Sequence, residues 1–469
     1  MRATTARLVC AALVALLVTI PATAQNLPVV TAFVGATLID GNGGKPVANA
    51  VVIVEGERIS AVGRRYRLAI PDGARIVDLK GKWIIPGLID AHVHFFQSGG
   101  LYTRPDIVDL RDVVPYADEI AAIGRDLPKT FARYLASGVT AVVDVGGPMS
   151  NFALRDRARE TRLAPRVAVA GPLLATYAPP ELASDDPAIV EMDSRRAARA
   201  EVRRQLARQP DLVKLWLVRT GGLDMPNVFQ WARAAVEEAH AARVRVAAHA
   251  TEREIARLAV RAGIDVLAHG VTDRTLDPAL IDQIKAHGVV YMTTLMVDEG
   301  YYEVLGQAVQ LSDIERRLGD PRAIASFAEV ARHADRMPAW ARGGPPANLH
   351  EVAFANLRSA AAAGVVVAAG SDAGNIGTLH GPALHRELEL MVEAGLTPMQ
   401  AIVAATRGGA AVMGRARDLG TIAPDKLADF VVLDADPLRD IRNTRRIDRV
   451  VKGGEVLDPA GIAAEAGID

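Results

Sequence analysis

Eight short apolar runs rich in β-branched residues, separated by stretches with helical spacing, constrain this chain more than any other feature. They are "WIIPGLID" (83–90), "GVTAVVDVG" (138–146), "RVAVAGPLL" (166–174), "DLVKLWLV" (211–218), "VRVAAHA" (244–250), "DVLAHG" (265–270), "VVYMTTLMV" (289–297) and "GVVVAAGSD" (364–372). Between them lie segments such as "NVFQWARAAVEEAHAAR" and "TEREIARLAVRAG", the second opened by Thr251 as a capping candidate. Near-continuous apolar strands belong to parallel sheets buried on both faces. Eight such units predict an α/β fold, a closed (β/α)8 TIM barrel over residues 83–415, with an open doubly wound sheet as the rival.

The two ends do not continue that alternation. Residues 27–82 carry β-type runs such as "AVVIVEGERISAVG", punctuated by Gly and Asn, and residues 416–460 resume the style with "DFVVLD" and "IDRVVKGGEVLD". Matching character at both termini predicts one small β-sandwich built jointly beside the barrel.

Residues 1–24 stand apart again. Arg2 and Arg7 precede the apolar run "LVCAALVALLVTI", followed by Pro21 and Ala22-Thr23-Ala24. This is the layout of a secretory signal cleaved after Ala24, with a periplasmic or secreted destination; an uncleaved anchor is the competing reading. The run is too short to span a bilayer comfortably, so no stable membrane span is expected after cleavage. Cys10, the one cysteine, lies inside the signal, which leaves the mature chain without a thiolate ligand or nucleophile. Any metal must then be held by His, Asp, Glu or a modified Lys. With 54 Lys and Arg against 55 Asp and Glu, scattered rather than gathered, neither nucleic acid nor an anionic membrane is an expected partner. A homo-oligomer stays open.

The first run ends in "AHVH". Strand side chains alternate faces, so His92 and His94 project to the same side, as packing residues or as a metal pair. Placed on a barrel, the carboxyl ends of the strands gather His92, His94, Lys214, His249, His269 and Asp372 at one mouth. The other six histidines, at 240, 287, 333, 350, 380 and 385, fall in helical or loop stretches. Lys214 is the most informative of the group. Flanked by Leu212, Val213, Leu215, Trp216 and Leu217, it would bury an ammonium at high cost unless paired or neutralised; snorkelling at an edge is the alternative. The chain holds eight lysines beside 46 arginines, so it generally places Arg where a surface cation suffices. A desolvated neutral amine can add carbon dioxide, giving a carbamate able to bridge two cations.

In this order, "GLIDAHVH", Lys214, "AAHA", "LAHG", "AGSDAG", "GLTPMQAIVAATRGGAAVMG" and "LGTIAPDKLADFVVLDADPL" resemble the amidohydrolase superfamily, and more closely its imidazolonepropionase-like and prolidase-like branch. The resemblance spans about residues 30–455. It implies a distorted barrel, a β-sandwich from both termini, and two divalent metal ions, usually Zn2+. His92, His94 and Asp372 would hold the more buried ion, His249 and His269 the other, with carboxylated Lys214 and a hydroxide between them. Asp372 would also be the catalytic proton carrier. The chain departs from many relatives after the third strand, where it reads "GPLLATYAPPELASDD" in place of a histidine-bearing loop, so Tyr177 is the candidate there for polarising the substrate carbonyl, against simple packing on the rim.

The loops 219–227 and 271–277 and the insertion 298–350 are the expected substrate walls, with Arg219 and Arg274 as candidates to hold a carboxylate. The expected function is an exported binuclear hydrolase that cleaves the amide of a dipeptide or N-acyl amino acid. A mononuclear deaminase or cyclic-amide hydrolase would not need Lys214, and a non-catalytic binding protein would not need all six ligands.

Overall fold

The computed structural model describes residues 29–218 and 224–468. The expected signal, residues 1–24, and Arg219 lie outside the described residues. At the centre are two parallel sheets. One has seven strands in the order Ile189–Glu191, Leu173–Ala175, Leu212–Trp216, Arg245–His249, Val266–Ala268, Val290–Thr293, Val367–Ala369. The other contains Leu88–Val93, Val139–Asp144 and Arg166–Val169. Backbone hydrogen bonds join the sheets at both sides: Asp372 N donates to His92 O at 2.8 Å and His94 N to Ala373 O at 2.9 Å, while Asp211 N donates to Val169 O at 3.0 Å.

The strands are apolar on both faces, as burial on both sides requires. Val213, Leu215, Val246, Ala248 and Leu267 pack outward against Trp231, Ala235, Ile255 and Ala259 of the helices. Their neighbours point the other way: Ile89, Ala91, Ala141, Val143, Ala168, Leu212, Ala247, Val266, Met292 and Ala368 form one cluster. Lys214 is two residues beyond Leu212 and therefore shares the inward face. A chemical group at that position points into the centre of the strands.

Both ends of the chain build two further sheets. Four strands order as Arg58–Arg64, Ala50–Glu55, Val30–Val34, Arg75–Asp78, and five as Glu455–Leu457, Ile447–Lys452, Phe430–Leu433, Trp83–Pro86, Thr37–Leu38. Phe33, Val52, Ile84, Phe430 and Val432 fill the space between them, with Phe33 edge-on to Phe430 at 4.9 Å. Arg166 straps this layer to the parallel strands: its Nε donates to Asp429 Oδ2 at 2.6 Å and its Nη2 to Oδ1 at 3.0 Å.

Several expected elements are redrawn. The run 83–90 is two strands, because the chain bends at Gly87, where a Cβ would lie 2.1 Å from Thr140 Oγ1. The run 166–174 also breaks, at Gly171-Pro172, since proline offers no N–H to a ladder. In the run 289–297 the strand stops at Thr293: the buried Glu387 carboxylate accepts the Thr293 hydroxyl at 2.6 Å and the Met296 N–H at 2.9 Å, turning the chain into the helix Leu295–Leu305. Thr251 does not cap; the helix Arg253–Ala262 starts after Glu252 without a side-chain cap. The insertion 298–350 is a helical subassembly with its own apolar cluster, in which Val304, Leu305, Phe327 and Val330 pack on Leu101, Val108 and Leu379.

Candidate metal centre

Six of the polar residues singled out in the sequence meet at one end of the parallel strands. His92 Nε2 and His94 Nε2 stand 3.5 and 3.4 Å from Asp372 Oδ1, and His269 Nδ1 stands 3.8 Å from Asp372 Oδ2. Lys214 Nζ lies 3.5 Å from His92 Nε2. The rings of His249 and His269 are 4.3 Å apart and those of His92 and His269 4.5 Å. No two of these six residues come from one turn of chain except the His92–His94 pair, so the cluster is a product of the fold.

Local structure fixes the donor atoms. His94 Nδ1–H donates to Gly146 O at 2.7 Å, which leaves its Nε2 lone pair facing Asp372. His269 Nδ1 is 2.8 Å from Thr294 Oγ1. His269 and Asp372 both hold left-handed backbone, with φ of 69° and 58°, a conformation uncommon outside glycine. Such strain persists only where the surroundings over-determine it. They do here: Ser371 donates from its hydroxyl to Asp90 Oδ2 at 2.5 Å and from its N–H to Asp90 Oδ1 at 2.9 Å, and Gly370 lies so close to the first strand that a Cβ would be 2.5 Å from His92 Cβ.

Burial sets the protonation states. Desolvation, with the Lys214 ammonium next, pushes His94 and His249 down to about 3 and His92 well below its ordinary value, while His269 is driven well below by desolvation, His249 and then Lys214. All four imidazoles are therefore neutral, with lone pairs to give. Desolvation also lowers Lys214 against the pull of Asp372 and Asp144, and raises Asp372 against the pull of Lys214. His92 Nδ1 and Asp372 Oδ1 are buried without a hydrogen-bond partner. Neutral imidazoles, a carboxylate with an unsatisfied oxygen and a lysine predisposed to its free amine form a donor set that fits divalent cations.

Above this floor opens a cleft of about 330 Å³. Phe96, Ile107, Leu173, Leu182, Ile189 and Trp216 supply apolar wall, and Arg104, Thr251, Thr272, Asp298, Tyr301 and Asn375 supply polar wall. Two candidates are not brought to it. Tyr177 is 36% exposed and is not a lining residue. Arg274 has a side chain 69% exposed with Nε 3.8 Å from Asp273 Oδ2, because the loop turns outward where Asn356 takes the N–H of Leu276 at 2.7 Å.

Sequence reasoning missed other residues. Arg104 donates from Nε and Nη2 to Asp106 at 2.8 and 2.6 Å and from Nη1 to Tyr301 Oη at 2.8 Å and to Asn375, whose own amide donates to Asp372 O at 3.1 Å. Asp90 and Asp144, each pushed up to about 7 by burial, order the strand ends; Asp144 accepts the N–H groups of Phe95 and Gly146 at 3.0 Å each. Both acids were visible as lone charges within apolar runs.

Comparison with known proteins gives a consistent result. A model of the amidohydrolase family matches residues 83–457. An imidazolonepropionase from Symbiobacterium thermophilum is 27% identical over 374 residues, covering 77% of each chain. Among solved structures, a Xaa-Pro dipeptidase with methionine bound in its active site superposes with a TM-score of 0.67 at 25% identity, over 92% of this chain and 100% of that one. Phenylurea hydrolase B gives 0.69 at 26% identity, over 93% and 98%.

Proposed function

Because the chain belongs to the amidohydrolase family, it is a hydrolase of carbon–nitrogen bonds, and we propose that it cleaves the amide of a dipeptide or an N-acyl amino acid at a centre of two divalent metal ions, zinc by preference. The observation that carries this reading is the convergence of four neutral imidazoles, Lys214 and Asp372 on one buried floor beneath a cleft of small-molecule size. His92, His94 and Asp372 would hold one ion, His249 and His269 the other, with Lys214, as its carbamate, between them. Such a pair of cations supplies an acidified water and a polarised carbonyl.

The chain's own residues do the rest. Asp372 takes the proton of the attacking water on its carboxylate and passes it to the departing nitrogen. Asn375 holds the Asp372 carbonyl, and Arg104 holds Asn375, so the acid keeps its angle to the cleft. The likeness to a Xaa-Pro dipeptidase supports the dipeptide class.

One observation favours a second reading. His92, His94 and Asp372 alone form a tight group whose donor atoms lie within 4.8 Å of one another, which suits a mononuclear deaminase or cyclic-amide hydrolase. Elemental analysis of protein purified without chelators separates the two. About two metals per chain are expected, together with turnover of members of a library of dipeptides and N-acyl amino acids; full activity at one metal per chain would give the second reading the field.

We further infer that the two parallel sheets are arcs of a single (β/α)8 barrel over residues 83–415, supported by the backbone bonds at both junctions and by the inward cluster that draws on eight strands. The flanking residues 27–82 and 416–460 would be its β-sandwich, a reading supported by the shared core around Phe33 and Phe430. Among the described residues no helix is long and apolar enough to cross a membrane. The first 24 residues are proposed as an export signal, for the reasons of sequence given above. Amino-terminal sequencing of exported protein is expected to begin at Gln25, and a mature chain that keeps Met1 would mean an anchor.

A further inference from the structure

A second cavity lies against the cleft. It encloses about 490 Å³, and Phe96 and Leu182 line both spaces. Phe96 also borders the floor of the candidate metal centre, where its ring stands edge-on to the His94 imidazole with centroids 5.5 Å apart. The two side chains common to the cavities are apolar and nearly buried, at 9% and 7% exposure, so a hydrocarbon chain that passes between them desolvates no charge.

The walls of this groove are held in place by hydrogen bonds and regular structure. One wall is the start of the helix Tyr116–Ala136, which contributes Tyr116 and Ile120, one turn apart on one face. Another is the segment 182–188, which carries Leu182, Ala183 and Ala188. It is anchored by the Leu173 N–H, which donates to Ala188 O at 2.8 Å, and by Asp186, whose two oxygens accept the N–H groups of Met149 and Ser150 at 2.9 Å each. Among the described residues that line the groove only Asp185 and Asp186 are charged; Asp186 is taken up by those two N–H groups, and Asp185 is exposed together with Ser150 and Ser184. Polar groups therefore mark the solvent side and apolar ones the side toward the cleft. Large aliphatic side chains kept at the rim of such a groove, as Ile120 is at 37% exposure, mark a place where an apolar partner binds.

We propose that this groove is a second binding site, which takes a long hydrocarbon chain of the substrate past Phe96 and Leu182 while the scissile amide lies over the floor of the cleft. The inference rests on the amide-hydrolase reading above and adds to it a site outside the cleft. Two halves of a substrate can supply the chain, the acyl group and the side chain of the amino acid that is released. In either case the cleft of about 330 Å³ holds the polar head, and the groove, which more than doubles the space, holds what an ordinary dipeptide lacks. Each methylene that leaves water for such a surface is worth about fourfold in affinity when fully buried.

The test compares matched ligands on the metal-loaded full chain. N-alkylsulfonyl-leucines with methyl, butyl and octyl groups, whose sulfonamide is not hydrolysed, are titrated calorimetrically; a second series keeps the methylsulfonyl group and lengthens the amino acid from alanine to α-aminodecanoic acid. In the wild type the longest member of at least one series is expected to bind at least about 30-fold more tightly than the shortest, well under the full methylene scale because the groove is open on one side and the chain is ordered on binding. Preference within the first series assigns the acyl group and within the second the released amino acid. Ile120→Trp and Ala183→Trp fill the groove from different walls at exposed positions, and each should bring the ratio toward one, while Ile120→Val should keep most of it. Equal binding of long and short members by the wild type overturns the proposal and needs no variant to fold. A ratio unchanged in both tryptophan variants overturns it too, since the chain would then lie against Ile107, Leu173 and Trp216 of the cleft itself. Rates on N-acetyl-leucine and N-octanoyl-leucine are recorded in parallel. Chain preference without turnover of any amide would remove the amide reading and leave the groove in place, whereas turnover without preference would remove only the groove.

Discussion

Lys214→Ala is expected to lower the hydrolytic rate by at least about 10³-fold, some 4 kcal/mol of transition-state stabilisation, and to lower metal content with it. The side chain is 1% exposed, inward-facing, and 3.5 Å from Nε2 of His92, an imidazole that burial keeps neutral. As an ammonium it would repel the cations that four neutral imidazoles invite. As a carbamate it becomes a bridging ligand. The distinction is measurable because, on the two-metal reading, loss of the carbamate would leave room that formate, acetate or propionate can enter. Partial recovery of rate with such an acid is the expected result. A lysine that is merely buried would behave otherwise: its replacement would leave a cavity, change stability more than metal content, and respond to no added acid. Two metals and near-normal rates in the variant would end the carbamate assignment and favour the mononuclear reading.

Asp372→Asn should cost more, about 10⁴-fold, because on the proposed mechanism it would remove a metal ligand and the proton carrier in one change. The substitution is a clean one for a backbone reason. Asp372 holds φ of 58°, and asparagine is among the few residues that tolerate this left-handed conformation, so the loop keeps its course and Asp372 N still reaches His92 O. Thermal stability of the metal-free protein should hold or rise, since a carboxyl that burial disfavours is replaced by a neutral amide. The measurement pairs kcat with a melting curve of the apo-protein. Retention of more than about a tenth of the wild-type rate would show that Asp372 carries no proton in the rate-limiting step.

The site's floor was legible because its residues sit on regular elements. In a strand the side-chain direction follows from position, so His92, His94 and Lys214 could be placed on a common face from spacing alone. Its walls were not legible for the converse reason. Tyr177 and Arg274 lie in loops, where direction depends on contacts such as Asn356 on Leu276 N. Arg104 lies in a stretch with no strand or helix spacing to place it, and it reaches the cleft where the helical insertion packs on Leu101 and Val108. Strand ends failed in the same way. The stop at Thr293 is imposed by Glu387, a residue nearly a hundred positions later, and no local propensity carries that information.

The five-stranded sheet has a consequence for synthesis. Ile84 pairs with Val432, and Trp83 with Leu433, so the strand made early waits for a partner made almost last. At the usual 5–20 residues per second the wait is tens of seconds, during which Trp83–Pro86 offers an apolar edge to whatever is near. The parallel strands that follow can begin to pair with their neighbours as they emerge. A nascent chain released before Phe430 would therefore carry most of its catalytic floor and still be poised to aggregate through its own beginning.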